Sequence, residues 1–364
     1  MTDLEYMRMA YHLALKGKGR TSPNPMVGCV IVKDSKIVGR GWHHYCGGPH
    51  AEVLALDEAK RSAKGATLYV TLEPCCHYGR TPPCADQIIQ SQVKRVVIGV
   101  KDPNPLINGK AIRQLRRAGI QVGINYLQNE LNRLNEAFNK FITTQKPFVV
   151  AKIAQTLDGK IATRRGQSKW ITSKKTRDLT HRLRDEFDVI LTGVDTVIQD
   201  DPRLNGVQKK TLRKVVVDSN LRIPLNAKLF KTHRSANCII VTTPKAKISK
   251  INYLKERGAL ILVGPKGEAG VDLKWLMQEL GRMGIASLLI EGGSKLIGNA
   301  LKENLVDKVL IFVAPKILGD QEAVSSIRGL NIERIDRAYH LKFHQVSLLE
   351  DDLMIEAYPK SNFR

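Results

Sequence analysis

The chain has 364 residues, 43% of them hydrophobic and 26% charged, a composition that excludes low-complexity and fibrous proteins and a length that suggests two domains. No apolar run approaches the roughly 18 residues that span a bilayer, and the N-terminal "MTDLEYMRMA" carries acids where a signal peptide carries lysines, so a cytoplasmic protein without membrane contact is expected. The net charge of +23 is spread, with a Lys and Arg excess of 9 in residues 1–145 and 14 in the remainder; with only 5% aromatic residues, this favours phosphorylated small molecules over nucleic acid as partners.

"DLEYMRMAYHLALKG" sets Leu4, Met7, Tyr11 and Leu15 at helical spacing and stops at glycine, which predicts an amphipathic helix. "MVGCVIVKDSKIVGRGW" reads as a hairpin turning at Asp34-Ser35. A helix near His50, a strand "ATLYVTL", a helix opening at Cys84, a strand "RVVIGV", a helix "AIRQLRRAG" and a strand "QVGINY" follow. Alternating strands and helices predict a mainly parallel, covered sheet. "ELNRLNEAFNKFITTQKPFVV" reads as one last helix running past Pro147 into a new strand, and the domain boundary is set at 145/146. Beyond it, "PFVVAKIAQTLDGKIA", "DVILTG", "RKVVVD", "NCIIVT", "ALILVG", "ASLLIEGG" and "DKVLIFVAPKILG" are expected strands, with helices near 173–186, 271–281 and 293–302. No internal repeat is present.

Four of six cysteines, Cys46, Cys75, Cys76 and Cys84, crowd into one stretch, which points to metal rather than to disulfides. His50, Cys75 and Cys84 form a His-Cys-Cys set, one of those used by catalytic zinc with an open position for water. Both cysteines stand where a turn or helix begins, where backbone N–H groups favour thiolates. His50 and Glu52 are about 200° apart around a regular helix, so they converge only if the helix is just starting. Glu52 is then placed to carry a proton from water to a leaving ammonia. His-x-Glu followed by Pro-Cys and a further Cys is the pattern of zinc deaminases acting on bases. Cys29 and Cys238 lie in apolar runs and read as packing residues, as does Cys76. His43 and His44 are candidate loop contacts to a substrate, and Cys46 has no assigned role.

The eight residues between Cys75 and Cys84 in "EPCCHYGRTPPC", with "TSPNPMVGCVIVKD" before and "KDPNP" after, resemble the deaminase half of the bifunctional riboflavin-biosynthesis deaminase/reductase family. The resemblance runs through residues 1–145 and implies a cytidine-deaminase-like three-layer α/β/α domain that removes an amino group from a ribosylamino-pyrimidinone 5′-phosphate. It also implies that Asn24 binds the base, that Asp102 and Asn104 line the site, and that His77 and Arg80 meet the ribose phosphate. Asn and Asp beside proline also simply make turns.

In residues 146–364, "AQTLDGKIATRRGQSKWIT", "LTGVDTVIQDDPRL" and "LIEGGSKLIGNAL" resemble the NADPH-dependent reductase half, of dihydrofolate-reductase-like α/β fold. Two glycines between an apolar strand and a helix can bring backbone N–H groups to a pyrophosphate. The resemblance implies that Ala154, Trp170, Thr196, Asp200, Ser219, Gly293, Ser294, Lys295, Leu296, Ile297, Gly298 and Asn299 meet the dinucleotide. Ser168, Arg184, Leu204 and Glu291 would meet the substrate, with Lys152 and Asp200 as candidates for proton handling. The family pattern after "DDP" has threonine and arginine where this chain has Asn205 and Val207; if that arginine holds the substrate phosphate, Arg203, Arg184 or one of Lys209 and Lys210 must substitute, or affinity falls. The implied enzyme uses Zn2+ and NADPH and is expected to be a homo-oligomer. The alternatives are a nucleic-acid base deaminase, and a zinc held only as a structural staple, which would require a fourth protein ligand from Cys76 or His77.

Overall fold

A computed structural model describes residues 1–76, 83–208, 212–230 and 237–360. The chain forms two compact units, Met1–Gln145 and Lys146–Arg364. In the first, α1 (Asp3–Leu15) precedes the hairpin β1 (Gly28–Lys33) and β2 (Lys36–Trp42). Then come α2 (Ala51–Ala59), β3 (Thr67–Leu72), α3 (Cys84–Gln90), β4 (Arg95–Val100), α4 (Lys110–Arg117), β5 (Gln121–Ile124), α5 (Gln128–Leu134) and α6 (Glu136–Thr144). The five strands run in the order β2-β1-β3-β4-β5, antiparallel up to β3 and parallel from β3 to β5.

Strand alternation builds two cores. Cys29, Ile31, Leu68, Val70, Val96 and Ile98 face the cluster shared with α2, α3 and α4, and Val30, Val32, Tyr69 and Val97 face the one shared with α1 and Leu131 of α5. This is the expected three-layer arrangement. The stripe expected on α1 is buried only in part: Met7 is buried and Tyr11 packs against the core, but Leu4 is exposed, and Tyr6, Ala10 and Ala14 complete the buried face. The helix lies so close to β1 that a Cβ on Gly28 would sit 2.0 Å from the Ala10 carbonyl oxygen, and only alanines fit that contact, which turns the bulkier residues aside. The last expected helix is also two. Asn135, between α5 and α6, is buried, with its Oδ1 accepting from the Met26 N–H at 2.8 Å and its Nδ2 donating to the Met26 carbonyl at 3.0 Å.

The second unit opens with β6 (Phe148–Thr156), β7 (Lys160–Ala162), α7 (Lys174–Arg184), β8 (Val189–Gly193), α8 (Val194–Asp200) and β9 (Arg213–Val217). It continues with β10 (Cys238–Thr242), α9 (Ile248–Glu256), β11 (Leu260–Val263), β12 (Lys266–Gly267), β13 (Gly270–Val271) and α10 (Leu273–Arg282). It ends with β14 (Ser287–Glu291), α11 (Ser294–Lys302), β15 (Lys308–Ala314), β16 (Val324–Ser325), β17 (Leu341–Leu349) and β18 (Asp352–Pro359). A nine-stranded sheet in the order β11-β10-β9-β8-β14-β6-β15-β18-β17 is parallel from β11 to β15 and antiparallel at its β18-β17 edge. Val149, Ala151, Leu191, Leu288 and Ile290 face α10 and α11, while Val150, Ile190 and Leu289 turn to the face that packs Leu179 and Leu183 of α7. Among the described residues no helix is long and apolar enough to cross a membrane.

The seat of α2 on β2 also depends on backbone contact. A Cβ on Gly41 would lie 2.1 Å from the Ala51 carbonyl oxygen and 2.7 Å from the Ala55 nitrogen. Gly41→Ala is therefore expected to cost about 1–3 kcal/mol through overpacking, read as a lower unfolding midpoint of the first unit in denaturant. An unchanged midpoint would mean that α2 can back away freely.

Candidate functional site

In the first unit, helix α2 begins one residue after His50, which occupies the N-cap in extended conformation (φ −74°, ψ 159°), and Glu52 lies in the first turn. The extended N-cap breaks the helical angle between the two, so both can face one side. Cys75 follows the end of β3 across Glu73-Pro74, and Cys84 is the first residue of α3. The Nδ1 of His50 and the sulfurs of Cys75 and Cys84 lie within 4.8 Å of one another, with His50 Nδ1 3.1 Å from Cys84 Sγ and 3.6 Å from Cys75 Sγ. The Cys84 backbone N–H donates to Cys75 Sγ at 3.3 Å.

The electrostatics suit a cation. Hydrogen bonding from the Cys84 thiol, together with His50, pulls Cys75 down to about 4 against its burial, and the thiolate is the ligating form. The Cys84 thiol is pushed up, first by its bond to Cys75 and then by burial. One imidazole nitrogen and two sulfurs in a compact triangle are a donor set for zinc with a fourth position open. Cys76 is not part of the cluster, and burial pushes its thiol up. His77 and Arg80 lie outside the described residues.

The triangle borders a cavity of about 480 Å³ lined by Glu52, Asn24, Asp102 and Asn104 and walled by Ile107, Phe138 and Ile142. Burial pushes Glu52 up to about 7, with His50 opposing, so its proton is exchangeable near neutral pH. Asp102 is raised to about 6, by burial first, against its hydrogen bond from the Asn104 N–H. His43 sits between two groups that settle its tautomer. The Pro49 carbonyl can only accept, so Nδ1–H donates to it at 3.0 Å, and Nε2 accepts from the Asn24 amide at 3.2 Å. Burial lowers its pKa, and the neutral ring fixes which way Asn24 presents its oxygen. His44 instead stacks on Trp42 at 4.3 Å. The apolar wall that Phe138 and Ile142 of α6 contribute is not among the site residues expected from the sequence, where this stretch reads only as a last helix before the domain boundary.

In the second unit the residues of interest gather at the carboxyl ends of neighbouring parallel strands, where open α/β sheets bind ligands. Glu291, buried at the end of β14, is bonded by Arg184 Nε at 2.6 Å and Nη2 at 3.0 Å, and lies 3.5 Å from Lys152 Nζ on β6. Burial would raise its carboxyl, but Lys152 and Arg184 outweigh burial and hold it at about 2. Gly292 and Gly293 follow with φ of 75° and 79°, and α11 starts at Ser294. A Cβ on Gly292 would sit 2.9 Å from Thr196 Cγ2. Bare backbone there leaves N–H groups at a helix start, a cradle that fits a dinucleotide phosphate.

Thr196 in α8 lies against that turn; Ser219 follows β9, its hydroxyl accepting from the Val271 N–H at 3.0 Å, and Ala154 lies in β6. Asp200 accepts from the Ser168 hydroxyl at 3.0 Å. Trp170 is exposed and carries the Arg177 guanidinium over its ring at 4.4 Å. Within α11, Lys295 is exposed and Asn299 half-buried. Leu296 and Ile297 belong to the core, and Gly298 lies against the Arg328 backbone. Leu204 is buried, with φ of 51°. The unusual loop after Leu204 is tied down: the Asn205 carbonyl accepts from Arg184 Nη1 at 3.0 Å and its side chain from Lys214 Nζ at 2.8 Å. Asp185 accepts from the Val207 and Gln208 N–H groups. Arg184 is thus already engaged, Arg203 is exposed, and Lys209 and Lys210 lie outside the described residues.

Two family models match separate stretches of the chain. A family model described as the cytidine and deoxycytidylate deaminase zinc-binding region matches residues 1–100, and one described as the RibD C-terminal domain matches residues 147–355. The riboflavin biosynthesis protein RibD of Aquifex aeolicus (strain VF5) is 45% identical over 357 residues, 97% of each chain. The chain belongs to the RibD family. RibD of Actinobacillus pleuropneumoniae is 44% identical, covering 98% of this chain and 95% of its own. The solved structure of Acinetobacter baumannii RibD matches with a TM-score of 0.88 at 37% identity over 99% of both chains. That of the deaminase/reductase from Thermotoga maritima matches with a TM-score of 0.85 at 35% identity, covering 98% and 99%. As a RibD-family protein the chain is a bifunctional enzyme of riboflavin biosynthesis, pairing a zinc-binding deaminase with a pyridine-nucleotide reductase.

The Glu291 triad makes a stability prediction. Glu291→Gln leaves two buried cations short of a counter-charge, and a loss of about 3–5 kcal/mol at pH 7 is expected. Because the folded carboxyl titrates at about 2 against an ordinary value of 4.5, its contribution is present above pH 4.5 and is lost as pH falls toward 2. Denaturant unfolding of wild type and variant should converge over that range, and a gap independent of pH would refute the charge assignment.

Proposed function

We propose that residues 1–145 deaminate 2,5-diamino-6-ribosylamino-4(3H)-pyrimidinone 5′-phosphate, and that residues 146–364 then reduce the ribosyl group of the product to a ribityl chain with NADPH. The observation that carries the first step is the convergence of His50, Cys75 and Cys84 beside buried Glu52 on one cavity. Bound zinc supplies a Lewis acid that makes water a competent nucleophile near neutral pH.

The chain's own residues do the rest. His50, Cys75 and Cys84 hold the ion. The Glu52 carboxylate takes a proton from the attacking water and returns it to the departing amino nitrogen, so that water and the amine become a carbonyl and ammonia. Asn24, aligned by His43, and Asp102 with Asn104 hold the pyrimidine edge, and the apolar wall of Ile107, Phe138 and Ile142 excludes bulk water. His77 and Arg80 are proposed for the ribose phosphate.

For the second step, NADPH would supply the hydride: the C1′–O4′ bond of the ribose breaks as C1′ gains it, and the freed O4′ takes a proton to leave an open ribityl chain. The backbone at Gly293–Ser294, with Thr196 and Ser219, is proposed to hold the cofactor phosphates and ribose. Glu291 is proposed to hold the substrate, its orientation fixed by Arg184 and Lys152, and Ser168 to do so from its bond to Asp200. A site whose polar groups are oriented before binding loses less on ordering the reactants.

Mixed with the diamino substrate and NADPH, the protein should release ammonia first and oxidise NADPH afterwards. A chelator should abolish the first signal and leave reduction of supplied deaminated substrate intact. Oxidation of NADPH without prior ammonia release would overturn the order. In Glu52→Gln, deamination should fall at least about a hundredfold with zinc content unchanged; a smaller loss would remove Glu52 from proton transfer.

A further inference from the structure

We propose that Glu73 is a positioning residue of the deaminase, a carboxylate that caps α4 from outside the helix and thereby holds the segment 101–109 against the substrate cavity. Glu73 is 2% exposed. Its Oε2 accepts from the Gly109 N–H at 2.8 Å and the Asp102 N–H at 3.3 Å, and its Oε1 accepts from the Ile112 N–H at 3.3 Å. Its own N–H donates to the Val100 carbonyl at 2.9 Å, which fixes it to the end of β4.

Gly109 is the N-cap of α4 and has no side chain to serve the free N–H groups of the first turn; at φ 81° it is in the left-handed region. A helix start normally recruits Ser, Thr, Asp or Asn for this purpose. Here the acceptor comes from a residue 36 positions earlier. A buried carboxylate without hydrogen bonds would be costly, and three N–H donors together with the positive end of α4 offset that cost.

The donors are spread in a telling way. Asp102 and Gly109 are the two ends of the loop, so one carboxylate closes it. Inside the loop, the Asn104 N–H donates to Asp102 Oδ1 at 2.8 Å and the Leu106 N–H to Asn104 Oδ1 at 3.0 Å, which shapes its tip. Asp102, Asn104 and Ile107 all line the cavity. Glu73 is also joined through Pro74 to Cys75. The same short turn therefore sets the place of a proposed zinc ligand and of the residues proposed to hold the pyrimidine, and the distance between them is fixed by covalent and hydrogen bonds rather than by packing alone.

This inference rests on the deaminase reading of residues 1–145. Gln in place of Glu73 keeps the shape but turns an N–H toward at least one of the three donors. In Glu73→Gln, KM for the diamino substrate should rise about tenfold or more, the scale of losing a charge-assisted hydrogen bond, with kcat less affected, zinc content unchanged and reduction of deaminated substrate normal. Hydrogen exchange provides a reading that does not need the variant: in the native chain the Gly109 and Ile112 amides should be protected although they lie at a helix start, and in the variant that protection should drop. Unprotected amides in the native chain overturn the clamp, as does a variant with exposed amides and unaltered KM, which would make Glu73 a helix cap and nothing more. If native protein releases no ammonia at all, the deaminase reading fails, while exchange still judges the clamp.

Discussion

The approach of α2 to β2, close enough that no side chain fits at Gly41, governs the geometry of the first unit. It fixes where the helix starts, and the start is what matters. With His50 held extended at the N-cap and Glu52 in the first turn, a histidine and a carboxylate two positions apart can address one point in space. One residue more of helix before His50 would swing them to different faces. Small residues, Ala51 and Ala55 on the helix and glycines on the strand, are therefore as much a part of the site as the residues with chemistry. Contact on this scale admits no side-chain adjustment, since backbone meets backbone.

The two sites solve the problem of a buried carboxylate differently. Burial lifts Glu52 to about 7, with His50 the chief group opposing it, which leaves a proton exchangeable near neutral pH. Glu291 is equally buried, yet two cations hold it at about 2, permanently charged and so suited to fixed polar contacts rather than to proton transfer. Glu73 is a third case, satisfied by backbone N–H groups. The same side chain is thus left able to exchange a proton, held charged, or tied to backbone N–H groups, and its neighbours decide which.

How far the sequence could be read follows from what each feature depends on. The hairpin at Asp34-Ser35 is local, since two residues with positive φ between apolar runs leave few other structures. The His-Cys-Cys set was legible because metal chemistry restricts residue types and the downstream insert is distinctive. The buried face of α1 was read only in part, with Met7 right and Leu4 wrong, because Ala10 and Ala14 are set against Gly28, a residue farther along the chain. The break at Asn135 depends on Met26, 109 residues away, and nothing near Asn135 announces it. The edge hairpin of β17 and β18 was missed because β17 leaves Phe343, Val346 and Leu348 exposed and so lacks a clean alternation. Glu73 escaped as well. It reads as one more letter of a metal motif, since its partners are backbone groups that leave no mark on sequence.

The loop after Leu204 shows what a departure from a family pattern can mean physically. Asn205 and Val207 stand where threonine and arginine are expected, yet the loop is held: Arg184 and Lys214 bind Asn205, and Asp185 takes the N–H groups of Val207 and Gln208. Three of these four bonds use loop backbone, which is indifferent to side-chain identity. The loop's course can therefore persist while its side-chain charge is lost. With Arg184 already joined to Glu291, an anion bound beside this loop would have to share that guanidinium rather than command it.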